Sequence, residues 1–284
     1  MAEQQQPPQH QDRQPGDEHA MQPEPEFIRD SYRGTGKLKD KVAVITGGDS
    51  GIGRAVAAHF AREGADCVIV YLEEQRDAED TQALVEAEGR RCELMQGDVG
   101  DSKFCREVVD KTLERFGKLN ILVNNAAEQY DWDDVTQIPD EKLLRTFQTN
   151  IFSHFYMAKA ALPHMQEGDS IIATSSINAF KGNNTLIDYS ATKGAIQGLV
   201  RSLAVSLVGR GIRVNAVAPG PVWTPLIPAS FEEEKVEGFG GQVPMNRAGQ
   251  PSEMGPAYVY LASEESSYMT GQTIHLNGGV VLNT

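Results

Sequence analysis

Past residue 40 the chain alternates between two hydrophobic periods. Short apolar runs rich in β-branched residues fall at 41–46, 66–71, 91–96, 119–124, 170–175, 212–218 and 272–276. Runs of this length, bounded by turn residues, read as buried strands. Between them, apolar positions recur at helical spacing over 51–63, 76–88, 101–116, 139–166, 188–208 and 251–262. Strand–helix alternation predicts an α/β fold. It takes the form of a single Rossmann-type doubly wound parallel sheet of about seven strands, with helices on both faces and a ligand at the carboxyl ends of the strands. Residues 223–247 break the alternation with Pro225, Pro228, Glu232-Glu-Glu234 and several glycines. The acidic triplet alone reads as a solvated helix face, whereas a segment this long and irregular reads as a mobile flap over a substrate.

The first 35 residues follow neither period. They are Gln- and Pro-rich, from Met1-Ala-Glu-Gln-Gln-Gln-Pro-Pro to Gln22-Pro-Glu-Pro25, and cannot bury a core. The expected division is therefore a disordered or extended tail, 1–35, and a dinucleotide-binding catalytic domain, 36–284. The tail reads either as a solvated leader or as a segment anchored at its end by Phe27, Ile28 and Tyr32. With the first strand starting at Lys41, deleting residues 1–35 is expected to leave fold and cofactor binding intact.

Lys41-Val-Ala-Val-Ile-Thr46 breaks into Gly47-Gly-Asp-Ser50-Gly51-Ile52-Gly53 and then into a helical run. A glycine string between a strand and a helix is the setting in which backbone can approach a pyrophosphate at a helix N-terminus. Gly47 permits the turn, Gly51 the close approach and Gly53 the packing; a tight turn with no ligand is the plain alternative. Further along, Tyr189 and Lys193 lie four apart in Asp188-Tyr-Ser-Ala-Thr-Lys193, on one face if the run is helical. An ammonium beside a phenol lowers its pKa from about 10 towards the working range. Ser176, at the end of the strand-like Ser170-Ile-Ile-Ala-Thr-Ser-Ser176, offers a hydroxyl to a carbonyl oxygen that a tyrosine protonates.

In their joint order these features resemble the short-chain dehydrogenase/reductase family. Thr46-Gly-Gly-Asp-Ser-Gly-Ile-Gly53 is similar to its Thr-Gly-x-x-x-Gly-x-Gly signature, and Asn124-Asn125-Ala126-Ala127 to its Asn-Asn-Ala-Gly element, with alanine in the last place. Ser176 and Tyr189-x-x-x-Lys193 match its catalytic positions. Pro219-Gly220-Pro-Val222-Trp-Thr224 resembles its nicotinamide-side loop, and Gly271 to Gly279 its closing strand and turn. The leader ending Gly34-Thr-Gly-Lys-Leu38 and the Asn-Asn-Ala-Ala-Glu-Gln run further resemble the branch of bacterial general-stress proteins and plant NADPH-dependent aldehyde reductases.

The resemblance implies an oxidoreductase that interconverts a carbonyl (aldehyde or ketone, sugar-derived ones included) and an alcohol. Tyr189 gives or takes the proton, Lys193 lowers its pKa and holds the nicotinamide ribose, and Ser176 polarises the substrate oxygen. Asn150 falls at the family's catalytic asparagine and is expected to hold a water behind Lys193. The cofactor is expected along Gly47, Ser50, Gly51, Ile52, Gly53, Tyr71, Asp98, Val99, Asn125, Ala126, Tyr189, Lys193, Pro219, Gly220, Val222 and Thr224. At the end of the second strand Val70-Tyr71-Leu72 has no acid for the ribose of NAD, and Ser50 stands where many NADP-preferring relatives carry a base. The missing acid, with Arg54 or Arg76 within reach, favours NADP over NAD.

Composition narrows the partners. Forty acidic residues against 26 basic give a net charge of −14, which disfavours a nucleic-acid partner. There is no membrane-length apolar run and no secretory leader, and the odd set Cys67, Cys92, Cys105 has no metal spacing. A cytoplasmic enzyme with a small-molecule substrate and no metal is expected. Apolar faces on 101–116 and 139–166 suggest a homotetramer. The alternative from another class is a dinucleotide-binding regulatory or stress protein with little turnover; the filled catalytic positions weigh against it.

Overall fold

The computed structural model describes residues 5–282. Seven strands form one parallel sheet: β1 (Val42–Thr46), β2 (Asp66–Tyr71), β3 (Cys92–Gln96), β4 (Ile121–Asn124), β5 (Ser170–Thr174), β6 (Arg213–Pro219) and β7 (Thr273–Leu276). Their order is β3-β2-β1-β4-β5-β6-β7. After β3 the chain returns across β1 and continues on its other side. The two halves therefore leave β1 and β4 in opposite directions and open a crevice at the carboxyl ends of those strands.

The centre of the sheet is apolar on both faces because helices cover both. Val44, Val68 and Leu122 point into one core with α3 (Ser102–Phe116), α5 (Ser153–Ala161) and α7 (Ile187–Leu207). Ala43, Ile45 and Ile69 alternate to the other side, against α1 (Gly51–Arg62), α2 (Gln75–Ala87) and α9 (Pro251–Ala262). The long helix expected over 139–166 is α4 (Asp140–Phe147), a π-helical segment Gln148–Phe152, and α5. It ends at Ala161 rather than at residue 166, because Pro163 has no N–H to carry it on. Short helices α6 (Asn178–Lys181) and α8 (Glu233–Glu237), which carry too few apolar positions to show a period, were not legible in the sequence.

The leader is extended apart from a single 3₁₀ turn at Glu18–Ala20, and it lies along the body. Met21, almost fully buried, packs with Trp223, Ile227, Val236 and Ala248 in a small third core under the 223–247 segment. The Trp223 indole N–H donates to the Pro23 carbonyl at 2.8 Å. Gln5 and Gln11 N–H groups reach the carbonyls of Glu237 and Pro228. Tyr32 donates to Glu63 at 2.6 Å and stacks edge-on against His59. Deleting residues 1–35, expected from the sequence to leave fold and cofactor binding intact, would uncover Trp223 and strip Met21 from this core.

Candidate active site

Thr46 ends β1 and ties the crevice together. Its Oγ1 accepts from the N–H groups of Asn125 (2.9 Å) and Ala126 (3.1 Å), and the Asn125 side-chain amide donates to the Gly47 carbonyl at 3.0 Å. The Asn-Asn-Ala-Ala element therefore clamps the glycine turn rather than merely following β4. Gly47 and Gly51 sit at φ of +60° and +52°, in the left-handed region where a side chain is strained. Gly53 is needed for a different reason, since a Cβ there would lie 1.8 Å from the Gly47 carbonyl oxygen. We expect Gly53→Ala to cost at least ~1–3 kcal/mol by overpacking and to open the turn, read as a lowered Tm together with weakened dinucleotide binding.

The crevice is a cavity of about 730 Å³. Of the residues singled out from the sequence, Gly47, Ser50, Gly51, Ile52, Tyr71, Asp98, Val99, Asn125, Ala126, Ser176, Tyr189, Lys193, Pro219, Gly220, Val222 and Thr224 all line it. Gly53 and Asn150 stand behind the wall. Of the aromatic residues Trp132, Phe180, Trp223 and Phe239, only Phe239 lines the cavity. Trp223 belongs to the third core, Phe180 meets His275 edge-on, and Trp132 lies in a loop whose N–H donates to the Thr185 carbonyl.

Tyr189 and Lys193 lie one turn apart on α7, both buried. The Lys193 ammonium donates to the Thr174 carbonyl at 2.9 Å and sits 5.3 Å from the centre of the Tyr189 ring. Ser176 Oγ accepts from the Asn178 N–H at 3.1 Å and faces the phenol. Burial pushes the phenol up to about 12, with the nearby Ser176 hydroxyl working the other way, and burial pulls the lysine down to about 7. This corrects the expectation of a phenol lowered by its neighbour. In a dry site desolvation disfavours both charged forms, and near neutral pH it leaves only about half of the positive charge that was to stabilise a phenolate. An ultraviolet difference titration of wild type against Tyr189→Phe is expected to show no phenolate from this residue up to about pH 10.

Asn150 occupies the π-helical segment, where the helix is underwound and its carbonyl register shifts. Its side chain is fully committed: the carboxamide oxygen accepts from Glu128 N–H (2.8 Å), and the NH₂ donates to the Glu128 carbonyl (2.8 Å) and Thr192 (3.2 Å). Any water it holds must therefore use its backbone. Glu128, missed in the sequence, also takes Arg145 (2.8 Å) and Thr149 (2.8 Å). Arg145 bridges onward to Asp98, so one guanidinium joins the loop after β3 to the loop after β4. Thr174 is a second missed residue, bonded to Asn125 (3.0 Å) and Tyr258 (2.7 Å) while its carbonyl holds Lys193. Their partners come from helices and loops distant in sequence, and no local signal marks them.

The expected cations also differ. Arg54 is buried and bonded to the Asp49 carbonyl (3.0 Å), Thr81 (3.0 Å) and the Asp77 carbonyl (2.9 Å), with Glu18 at 2.7 Å, so it is not free for a 2′-phosphate. An acid does stand near the end of β2: Glu74, not Glu73, is buried and lines the cavity with Asp49. Arg13 of the leader lies 3.2 Å from Glu74. Among the described residues, one group has the proximity of a metal site, Asp17, His19 and Asp77. Its members are engaged with Arg13, Arg54 and each other, and they act as a clasp for the leader.

Residues 47–281 match the family model described as Enoyl-(Acyl carrier protein) reductase. The chain belongs to the short-chain dehydrogenase/reductase family. It is thereby an enzyme, an NAD(P)-dependent oxidoreductase acting on CH–OH groups. The chain is 56% identical to General stress protein 39 of Bacillus subtilis (strain 168), over 98% of this chain and 97% of that protein. It is 55% identical to the Glucose and ribitol dehydrogenase homolog of Oryza sativa subsp. japonica, over the whole of both. With NADPH-dependent aldehyde reductase 1, chloroplastic, of Arabidopsis thaliana it shares 51% identity over 95% of this chain and 96% of the relative. A crystal structure of a short-chain dehydrogenase from Burkholderia cenocepacia J2315, in complex with NADP, superposes with a TM-score of 0.81 at 30% identity, covering 86% of this chain and 98% of that one.

Proposed function

We propose that this short-chain dehydrogenase/reductase interconverts an aldehyde or ketone and its alcohol, with Tyr189 as proton donor and acceptor. The observation that carries the reading is a juxtaposition. The Ser176–Tyr189 pair and the Lys193 ammonium line the same cavity as the glycine turn, so substrate oxygen and dinucleotide can meet there. The dinucleotide supplies hydride transfer when bound. Ser176 donates to the substrate oxygen and orients it, and Tyr189 Oη delivers or collects the proton at that oxygen. Lys193 ties α7 to the end of β5 through Thr174, and its charge state governs how readily the phenol gives up its proton. Asn150 fixes the 128 loop against α7 and leaves its backbone carbonyl to hold a water on the Lys193 side.

The cavity wall carries the polar side chains Gln129, Asn178, Asn183, Thr185 and Gln242 among apolar ones such as Leu186, Phe231 and Phe239. That supports a polyhydroxylated substrate, a sugar or polyol or the aldehyde derived from one, in keeping with the names of two relatives. For the dinucleotide we favour NADP(H). A relative is called NADPH-dependent and a structural neighbour holds NADP. Arg13, 3.2 Å from Glu74, offsets the carboxylate that would otherwise repel a 2′-phosphate near the end of β2. Assaying sugars, polyols, aldehydes and ketones with NADH and NADPH tests all of this. Higher kcat/KM with NADH overturns the preference, and no turnover with any of them overturns the reaction.

Among the described residues no helix is long and apolar enough to cross a membrane. Cys67, Cys92 and Cys105 are unpaired, as a reducing cytoplasm would keep them. We further propose a homotetramer. Leu144, Phe152 and Phe155 are exposed on the α4–α5 helix, and Val205 and Val208 at the end of α7, whereas α3 carries no exposed large apolar residue. Light scattering at micromolar concentration should give four times the chain mass; a monomer would refute it.

A further inference from the structure

The leader crosses the mouth of the crevice. Pro15 and Gly16 form part of the cavity wall beside Ser50 and Gly51. Two residues on, Glu18 is buried at 2% exposure, far from the norm for an acid in a Gln/Pro-rich segment. One of its carboxylate oxygens accepts from the Gly51 N–H, and the other lies 2.7 Å from the Arg54 guanidinium. Both partners belong to the glycine turn and the first turn of α1. The strap is held on either side of this contact. Gln14 pairs with the Gln129 backbone in both directions, the Asp77 carboxylate accepts from the Glu18 and His19 N–H groups, and Met21 enters the Trp223 core.

A carboxylate is costly to bury unless it is both paired and hydrogen-bonded. The sheet and its two cores are complete without Glu18, so a leader that served packing alone would place an apolar side chain there. An acid at the α1 N-terminus instead fixes the turn that phosphates approach. The cavity keeps about 730 Å³ with the strap in place, so the leader bounds the site rather than filling it. We propose that residues 13–23 are a working part of the dinucleotide site. The strap builds its outer wall, and Glu18 is a positioning residue that holds the Gly51 turn in its binding conformation. Dinucleotide affinity, and not the chemical step, then depends on the leader. This inference rests on the dinucleotide reading given above.

The test uses full-length wild type, Glu18→Ala and Glu18→Gln, with Kd for NADPH and NADH, Tm, and kcat at saturating dinucleotide. Glu18→Ala is expected to weaken the preferred dinucleotide about tenfold or more, the usual size of a lost charge-assisted hydrogen bond, while kcat at saturation stays within about twofold. Glu18→Gln keeps an acceptor for Gly51 and loses the charge facing Arg54, so its Kd should fall between. Amide hydrogen exchange on wild type guards against a variant that fails to fold. Dinucleotide should raise protection of residues 13–21 together with 51–54. A folded Glu18→Ala with wild-type Kd overturns the proposal, as does protection that rises in the turn and not in the strap. A wild type that binds neither dinucleotide overturns the functional reading itself, and this inference with it.

Discussion

Tyr189→Phe is expected to bind dinucleotide as wild type does while turnover falls by ~10²–10⁴-fold, the range for removing a general acid–base group. The substitution keeps the ring, and the ring is what packs: Tyr189 is buried on α7 with Lys193 beside it. What disappears is a single hydroxyl that faces Ser176. Since that hydroxyl is buried, its removal should leave Tm within a few degrees. Dinucleotide Kd by fluorescence, paired with turnover on the best substrate of the wild type, separates the two effects. Near-normal carbonyl reduction by Tyr189→Phe would show that the proton comes from elsewhere and would reduce the Ser176–Tyr189–Lys193 constellation to packing.

Lys193→Met is expected to do two opposite things, abolishing most turnover and making the protein more stable. Lys193 is about 1% exposed, and its one hydrogen bond in the structure goes to the Thr174 carbonyl. Among the described residues no carboxylate pairs with it, and burial drags it from 10.5 down to about 7. Between those two values the unfolded chain holds a proton that the folded chain has released, so stability rises with pH across that window. Below about 7 the folded protein must carry a buried charge. An apolar side chain of similar length removes that cost, and exchanges of this kind stabilise by on the order of 1–4 kcal/mol. Thermal unfolding at neutral and alkaline pH should show Lys193→Met with the higher Tm at neutral pH and a flatter pH dependence. A variant less stable than wild type at neutral pH would mean that the Thr174 contact outweighs the buried charge.

The periodicity of the chain determined the layered sheet by itself. All seven strands and five of the six expected helices fall within a few residues of where alternation and apolar spacing place them, because each is set by short-range pattern; the sixth, over 139–166, is split by its π-helical segment and stops before Pro163. Local chemistry likewise placed Gly47 to Gly53, Ser176, Tyr189 and Lys193, since a turn, a strand end and an i,i+4 pair are all readable from neighbours in the chain. Tertiary structure alone decided the electrostatics of that pair. Depth of burial, which no local window encodes, outweighs proximity and sends both groups towards neutrality. It also decided the fate of Arg54, which short-range reasoning left free and which Glu18 and Asp77 claim from 36 and 23 positions away in sequence. The leader is the clearest case. Composition correctly denies it a core of its own, yet Met21, Gln14 and Glu18 find their partners on the finished domain. A segment that cannot fold alone is ordered by a surface that exists only once the rest has folded.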